Sequence, residues 1–338
     1  MRLSHLQVER RIMNICIAGA GAIGCTLAAR LAKSGQTVNV LARGATLESI
    51  QRQGIHLTDI DGEHKTKVTA SDSAEKLGLQ DIIFICTKAP ALPTMLKLIK
   101  PMLHHKTIVI PVVNGIPWWY FQGIEGRFSG DNIQVIDPEG STSKLIPNHH
   151  LIGSVVFITA FRNAPGVVTS TNPHLIVLGE INHQMTERLE QVRKIMEDAG
   201  IEARASDNIR DQIWTKVAAN ITSNPLSVVT KGTLKQLYAD DRLKPLVRRM
   251  LDEVLLLAAA YGARIRFDPH TFMELGAGMG AVKTSMLQDY EAGQPLELDA
   301  IGYSVLELAN KVDVPMIATQ NLLDLTQFIA TQSHPQPH

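Results

Sequence analysis

The stretch IWTKVAANITSNPL, residues 213–226, places one lysine and two asparagines at four-residue intervals in a largely apolar segment. In an α-helix, Lys216, Asn220 and Asn224 then share one stripe, because each four-residue step rotates by only about 40°. An ammonium group can donate a proton to a carbonyl oxygen and stabilise the negative charge that forms there. The alternative is a lysine that snorkels to solvent from an apolar helix.

The composition narrows the class of protein. The chain has 338 residues, of which 45% are hydrophobic and 20% charged, so two domains or one large one can form packed cores. Its 33 basic and 33 acidic residues balance, which argues against a nucleic-acid partner or an anionic membrane. Three scattered cysteines make no disulfide framework, and the N-terminal segment lacks the pattern of a targeting signal. We therefore expect a cytoplasmic protein.

Strand and helix patterns alternate in the first part of the chain. Short apolar runs such as NICIAG and DIIFICTK are separated by helical spacing, which predicts a parallel, doubly wound sheet. The pair Asp61-Gly62 predicts a β-hairpin. From about Asp207 onward the pattern is almost entirely helical. The sequence therefore predicts an N-terminal Rossmann-type α/β domain at 12–206, an all-α C-terminal domain at 207–330, and tails at 1–11 and 331–338.

A glycine-rich turn follows the first predicted strand and opens a helix, which is the context in which G-x-G-x-x-G binds a dinucleotide. Gly19 would allow the tight turn, Gly21 the approach of the pyrophosphate, and Gly24 the close packing of helix on strand. The N terminus of the helix attracts the phosphates. The candidate cofactor-binding turn comprises Gly19, Ala20, Gly21, Ala22, Ile23 and Gly24.

Two basic residues indicate which dinucleotide binds. Arg43 lies near the predicted tip of the second strand, where proteins that bind NAD carry an acidic residue. An arginine there pairs with the 2′-phosphate of NADP, and Lys88, which ends another strand, points to the same edge of the sheet. A solvated surface cation is the alternative for both residues. The predicted cofactor is NADP(H).

These features together resemble the ketopantoate reductases, or 2-dehydropantoate 2-reductases. The combination is specific, whereas K-x-x-x-N alone also occurs in related β-hydroxyacid dehydrogenases. The resemblance implies a helical C-terminal domain like that of 6-phosphogluconate dehydrogenase. It covers residues 13–328 and depends on the glycine pattern, LAR with Arg43, TKA with Lys88, Asn114-Gly115, TKVAANITSNPL, and TSMLQD at 284–289 followed by Glu297.

The resemblance also implies roles for residues at matching positions. Lys216 would protonate the ketone oxygen as hydride arrives, and Glu297 would close the site and maintain the charge of the lysine. Asn114 would contact both the nicotinamide and the substrate, and the backbone of Thr159 would touch the cofactor. The implied set comprises Lys216 and Glu297 as catalytic residues, Asn114, Asn220, Asn224 and Ser285 at the substrate, and Asn114, Thr159 and Glu297 at the cofactor.

Two prolines affect the predicted structure near the site, one in a segment that departs from the family sequence and one in the lysine helix. After Asn114-Gly115 the family continues with glycine and a polar helix, whereas this chain has IPWWYFQG, in which Pro117 suits the first position of a helix. The four aromatic residues either pack the seam between domains or reshape the substrate pocket. Pro225 disfavours helical geometry in the preceding residue, so we expect the lysine helix to end at Asn224.

The leading interpretation is NADPH-dependent reduction of a small 2-oxoacid, ketopantoate or a related branched compound. A β-hydroxyacid dehydrogenase with another substrate and a non-catalytic NADP(H)-sensing protein are the alternatives. The pairs His104-His105 and His149-His150 have no partner at metal-ligand spacing, so we expect no catalytic metal. The sequence does not identify the true substrate. It is compatible with a homodimer but does not determine the oligomeric state.

Arg43→Ala should weaken NADPH binding by roughly 10–100-fold, because a hydrogen bond to a charged group contributes about 1.5–3 kcal/mol. NADH lacks the 2′-phosphate, so its affinity should barely change. Fluorescence titration with both cofactors measures the two dissociation constants. Equal losses for NADPH and NADH would reject the assignment of Arg43 to the 2′-phosphate.

Overall fold

The computed structural model describes residues 12–333. The predicted N-terminal tail at 1–11 and residues 334–338 lie outside the described residues. The predicted C-terminal tail begins within a helix that continues to Ser333. The strands are β1 (Asn14–Ala18), β2 (Thr37–Leu41), β3 (Ile55–Asp59), β4 (Gly62–Thr66), β5 (Thr69–Ser71), β6 (Ile82–Ile85), β7 (Ile108–Pro111), β8 (Ile152–Phe157), β9 (Ala160–Ala164), β10 (Val167–Ser170), β11 (Leu175–Glu180) and β12 (Glu202–Ala205).

A five-stranded parallel sheet forms the centre of the N-terminal part, in the order β5-β2-β1-β6-β7. Its strands are nearly continuous apolar runs because helices cover both faces, which is the usual state of a parallel sheet. The α-helices of the N-terminal half are α1 (Ala22–Lys33), α2 (Gly44–Gln53), α3 (Ala74–Leu77), α4 (Leu92–Leu98) and, between β11 and β12, α5 (Glu187–Asp198). The strand order reverses at β1, where a doubly wound sheet binds its ligand.

Two smaller sheets complete this half. The predicted hairpin is confirmed, since β3 and β4 pair antiparallel with Asp59 opposite Gly62. They join β10 and β9 in a four-stranded sheet. The third sheet has the order β12-β11-β8, and a parallel bridge between Val109 and Leu151 links it to the edge of the central sheet. The N-terminal α/β fold class is confirmed.

The described residues after β12 form helices and connecting turns, which confirms the predicted helical domain. The first of these helices contains the lysine stripe and packs against several of the others. The helices are α6 (Ile209–Thr230), α7 (Leu234–Ala239), α8 (Lys244–Ala260), α9 (Pro269–Gly278), α10 (Ser285–Glu291), α11 (Ser304–Lys311) and α12 (Ile317–Ser333).

The prediction that the lysine helix ends at Asn224 is wrong, because Pro225 lies inside α6 and the helix continues to Thr230. The residues around this proline, from Thr222 to Val228, are buried. The Thr326 hydroxyl of α12 also donates a hydrogen bond to the Pro225 carbonyl at 3.3 Å. Tertiary packing therefore outweighs the local preference of a residue that precedes proline.

The turn between β1 and α1 depends on two glycines. Gly19 has a φ of +111°, which L side chains rarely adopt. A Cβ on Gly24 would lie 2.0 Å from the Gly19 carbonyl oxygen and 3.1 Å from Cβ of Cys86. A Cβ on Gly21 would meet nothing closer than 3.9 Å. The turn is therefore tight beneath the helix and open on the side where a pyrophosphate would approach.

Gly24→Ala should lower the free energy of unfolding by more than about 2 kcal/mol, because the new methyl group overlaps a backbone oxygen that cannot move without opening the turn. Helix propensity alone predicts the opposite sign, a gain of about 0.5–1 kcal/mol. Gly278→Ala is the matched control, since a Cβ added to that helical glycine would meet nothing within 4 Å. Thermal unfolding measures the midpoint temperature of each variant. Equal midpoints for Gly24→Ala and Gly278→Ala would contradict the steric argument.

Candidate active site

The candidate residues approach one another where the carboxyl ends of β6 and β7 face helix α6. Lys88 follows β6, and Asn114 follows β7. Lys216 lies in the first half of α6, a helix that also contacts β8 and β11. The cleft therefore has the ends of β6 and β7 on one side and the lysine stripe of α6 on the other.

Lys216 is held against β8. Its ammonium group donates a hydrogen bond to the carbonyl oxygen of Val156 and lies 5.4 Å from the centre of the Phe157 ring. Burial lowers the pKa of Lys216 to about 8, while the negative charge of Glu297 acts in the opposite direction. The ammonium thus points into the protein rather than snorkelling to solvent, and it is a stronger acid than an exposed lysine.

Glu297 connects the two halves of the cleft. It is only 8% exposed, and its Oε1 accepts a hydrogen bond of 2.9 Å from the backbone N–H of Ala89. Burial raises the pKa of Glu297, whereas the Ala89 N–H, the Lys88 charge and a hydrogen bond from the Asn114 side chain lower it. The carboxylate therefore contacts the segments that follow β6 and β7 and acts electrostatically on Lys216.

The Asn114-Gly115 turn packs directly on the helical half. Gly115 has a φ of +85°, and a Cβ on it would lie 2.0 Å from the carbonyl oxygen of Ala300. The backbone N–H of Ile116 donates to this same carbonyl at 2.9 Å. Ala300 belongs to a π-helical turn, Asp299–Tyr303, which leads into α11. Sequence patterns indicated the Asn114-Gly115 pair but gave no sign of the π-helical turn that receives it.

The two asparagines of the stripe present unsatisfied donors. Among residues 12–333, the Nδ2 atoms of Asn220 and Asn224 are buried and have no hydrogen-bond partner. Buried amides of this kind are rare, because each unmade hydrogen bond costs about 1–3 kcal/mol. A ligand with oxygen acceptors would satisfy both. The expected display of Asn224 at a helix end is wrong, since the helix continues past it.

Ser285 is the first residue of α10 and is exposed. The preceding residue, Thr284, caps this helix by accepting a hydrogen bond from the Leu287 N–H at 3.1 Å. The Thr284 hydroxyl also lies 2.6 Å from the Ser227 hydroxyl of α6. These contacts fix the N terminus of α10 beside α6, so Ser285 is held near the helix that carries the asparagines.

The candidate cofactor residues have different surroundings. Gly21 is the N-cap of α1, and the exposed Arg43 is the N-cap of α2. Lys88, in contrast, forms an ion pair with Asp289 of α10, with 2.5 Å between Nζ and Oδ1. The Thr159 N–H donates to the Asn172 side chain at 2.6 Å, and its carbonyl accepts from the Ser170 hydroxyl. The Thr159 backbone thus has partners within the protein, and its contact with the cofactor stays a prediction.

The aromatic segment packs the seam and also lines cavities. Trp118 and Trp119 are 2% and 1% exposed, in consecutive turns rather than in the helix that Pro117 indicated. Trp119 lines a cavity of about 20 Å³ with Asn114 and Lys216. Trp118 lines a second cavity of about 150 Å³ that includes Glu297. The two alternatives for this segment are therefore not exclusive.

Buried Arg210, at the start of α6, anchors the aromatic segment. Its guanidinium donates to the carbonyl oxygens of Tyr120, Gln122 and Ile181 at 2.8–2.9 Å. Burial lowers the pKa of Arg210 to about 10. The Trp214 indole N–H donates to the Tyr120 hydroxyl at 2.7 Å. The first turns of α6 are thereby tied to the N-terminal half.

Comparison with known proteins identifies the family. The model of the PanE/ApbA ketopantoate reductases matches residues 15–183, and the model of their C-terminal domain matches residues 208–330. A 2-dehydropantoate 2-reductase of Mesorhizobium japonicum is 37% identical over 95% of this chain and 98% of its own. The chain belongs to the ketopantoate reductase family.

Solved structures agree with this membership. A crystal structure from Ralstonia solanacearum, assigned to the ketopantoate reductases, is 35% identical, with a TM-score of 0.91 over 97% of this chain and all of its own. D-mandelate dehydrogenase in complex with NADH and anilino(oxo)acetate shares the fold at 22% identity, with a TM-score of 0.80 over 95% of this chain and 99% of its own.

The chain is thus an oxidoreductase of the 2-dehydropantoate 2-reductase type that uses a nicotinamide dinucleotide. The glycine turn fits such a cofactor, because Gly19 and Gly24 permit the tight turn and Gly21 leaves room above it. Among the described residues, no cluster of three or more His, Cys, Asp or Glu side chains is arranged to hold a metal ion. No helix between residues 12 and 333 is long and apolar enough to cross a bilayer.

Glu297→Gln should lower the pKa of Lys216 below about 8, because it removes the negative charge that opposes the effect of burial. Carbon-13 NMR of labelled lysine side chains, followed during a pH titration, measures this pKa directly. Glu291→Gln, which removes a charge from the exposed Lys283 pair, is the control. An unchanged or higher pKa in Glu297→Gln would show that the two groups are not coupled.

Proposed function

We propose that this enzyme reduces 2-dehydropantoate to pantoate with NADPH, and that Lys216 donates the proton. The observation that carries the proposal is the buried Lys216 ammonium, with its pKa lowered to about 8, on the same helix stripe as two unpaired amide donors. The 37% identity to a curated 2-dehydropantoate 2-reductase supports the choice of substrate.

The substrate would be oriented by the helical half of the cleft. A 2-oxoacid offers a carboxylate and a ketone oxygen, which are both acceptors, and the Lys216 ammonium, the two asparagine amide nitrogens and the Ser285 hydroxyl can donate to them. The Nδ2 atoms of Asn220 and Asn224 would bind substrate oxygens, and the Ser285 hydroxyl would contact the carboxylate. Binding the substrate satisfies amides that otherwise remain unpaired, so part of its affinity comes from removing that cost.

Bound NADPH supplies the hydride that adds to the ketone carbon. The ketone oxygen then gains negative charge, and the Lys216 ammonium stabilises it and transfers a proton to it. A pKa near 8 keeps Lys216 mostly protonated at neutral pH while making it a better acid than an ordinary lysine. The Val156 carbonyl orients Nζ, and Glu297 maintains its positive charge.

The cofactor would lie across the carboxyl edge of the central sheet. The α1 N terminus and the glycine turn would hold the pyrophosphate, and Asn114 and Glu297 would flank the nicotinamide end. Arg43 supports NADPH rather than NADH, since it follows β2 with its side chain exposed and no acidic residue precedes α2 there. Lys88 supplies a second cation near the same edge of the sheet.

The alternatives predict a different cleft. A non-catalytic NADP(H) sensor has no use for a proton donor with a lowered pKa, so the environment of Lys216 favours an enzyme. A β-hydroxyacid dehydrogenase would share Lys216 and Asn220. The second unpaired amide, at Asn224, and the family matches over both halves favour the ketopantoate reductase assignment.

The decisive assay follows NADPH oxidation by absorbance with a panel of 2-oxoacids. We expect turnover with 2-dehydropantoate and a higher kcat/KM for it than for smaller 2-oxoacids such as pyruvate. Oxidation that is faster with another 2-oxoacid would replace the substrate but keep the reaction. NADPH binding without oxidation in the presence of any 2-oxoacid would favour the sensor.

Lys216→Ala should lower kcat by about 10²–10⁴-fold, the usual contribution of a positioned acid. NADPH affinity should persist, since the other half of the cleft supplies its main contacts. Asn220→Ala is the contrasting variant and should raise KM more than it lowers kcat. Circular dichroism checks that both variants fold. Near-full turnover in Lys216→Ala would reject the proton-donor role.

A further inference from the structure

The ion pair between Lys88 and Asp289 crosses the cleft. Lys88 follows β6 in the α/β half, whereas Asp289 lies in α10 of the helical half, with 2.5 Å between Nζ and Oδ1. The lysine side chain is 46% exposed and the aspartate side chain 19% exposed. The carboxylate is thus the more enclosed partner, and it holds an ammonium that solvent can still reach.

The position of Asp289 in α10 relates it to Ser285, a candidate substrate-binding residue. It follows Ser285 by four residues, so the two side chains lie on the same face of the helix. The charges of Asp289 and Lys88 also act in opposite directions on the pKa of Glu297, which Asp289 raises and Lys88 lowers. The pair therefore belongs to the electrostatic network of the cleft rather than to the outer surface.

Under the proposed function, Lys88 is a second cation at the edge of the sheet that binds NADPH, where its ammonium would contact a phosphate of the cofactor. One ammonium cannot keep a 2.5 Å contact with Asp289 and also give its full charge to a phosphate. We infer that Asp289 competes with the cofactor phosphate for Lys88, so that binding of NADPH exchanges a bond between the two halves of the protein for a bond to the cofactor. This inference rests on the proposed role of Lys88.

Competition for Lys88 predicts the direction in which NADPH affinity changes when Asp289 loses its charge. Because the ion pair must be given up when the phosphate binds, removing the carboxylate should tighten binding rather than weaken it. Partly exposed ion pairs are weak, which limits the effect to about two- to fivefold in affinity. If Asp289 instead positioned Lys88 for the phosphate, its removal would weaken binding.

The test is a double-mutant cycle on NADPH affinity. Asp289→Asn keeps the shape of the side chain and removes its charge, and Lys88→Met keeps the aliphatic stem. Fluorescence titration at low salt should show NADPH binding about two- to fivefold tighter in Asp289→Asn and weaker in Lys88→Met. In the Lys88→Met background, Asp289→Asn should have almost no effect, because the ammonium for which Asp289 and the phosphate compete is gone.

Two controls separate competition from general electrostatics. Glu291→Gln removes one negative charge from the same helix, at a residue paired with Lys283, and should leave NADPH affinity unchanged. Raising the salt to about 0.5 M should reduce the Asp289→Asn effect, since screening weakens the original pair. Equal tightening by Asp289→Asn with and without Lys88 would overturn the inference, because the effect would then come from net charge alone.

The other possible results of the NADPH titrations distinguish failure of the inference from failure of the proposed function. Unchanged or weaker NADPH binding in Asp289→Asn, when the wild-type protein binds NADPH saturably, rejects competition and leaves the proposed function intact. Wild-type affinity in Lys88→Met rejects the contact between Lys88 and the cofactor, and the inference with it. Absence of saturable NADPH binding in the wild-type protein would instead reject the proposed cofactor itself.

Discussion

Burial of the Lys216 ammonium is the constraint on which the arrangement of the cleft depends. A charged amine loses hydration free energy when it is buried, and it stays protonated near neutral pH only if fixed oxygens replace water. Val156 supplies a carbonyl from β8, and Glu297 supplies a negative charge from the segment before α11. These groups come from different parts of the chain, so the acidity of Lys216 requires the two halves to stay in register.

Several contacts maintain that register without touching a substrate. The Arg210 guanidinium donates hydrogen bonds to three backbone carbonyls. These bonds connect the start of α6 to the aromatic turn and to the residue after β11. At the other side of the cleft, the Asn114-Gly115 turn lies so close to Ala300 that only glycine fits. The Ala300 carbonyl, in the π-helical turn, accepts hydrogen bonds from the Ile116 N–H and from the Ser304 hydroxyl, each at 2.9 Å, so this local irregularity in a helix contacts the Asn114-Gly115 turn.

The sequence predicts the parts of this site that local periodicity encodes. Four-residue spacing placed Lys216, Asn220 and Asn224 on one helix face, and the glycine pattern placed the turn between β1 and α1. The contacts that set their chemistry could not be predicted in this way, because Val156 lies 60 residues from Lys216 and Ala89 lies 208 residues from Glu297. Local rules failed at Pro225, where packing of α6 overrides the preference of a single dipeptide. The TSMLQD motif includes Asp289, but the sequence does not predict its ion pair with Lys88, which only the fold brings together.

The aromatic turn links the packing between the two halves to the shape of the cleft. Trp119 fills the space left by Gly153, whose added Cβ would lie 2.6 Å from the indole ring, and it also lines the small cavity at Lys216. Trp118 lines the larger cavity at Glu297 on the other side of Pro117. A change in either ring therefore alters the packing between the halves and the shape of the cleft together. Since the acidity of Lys216 depends on that packing, a substitution that opens room for a larger substrate also disturbs the group that would protonate it.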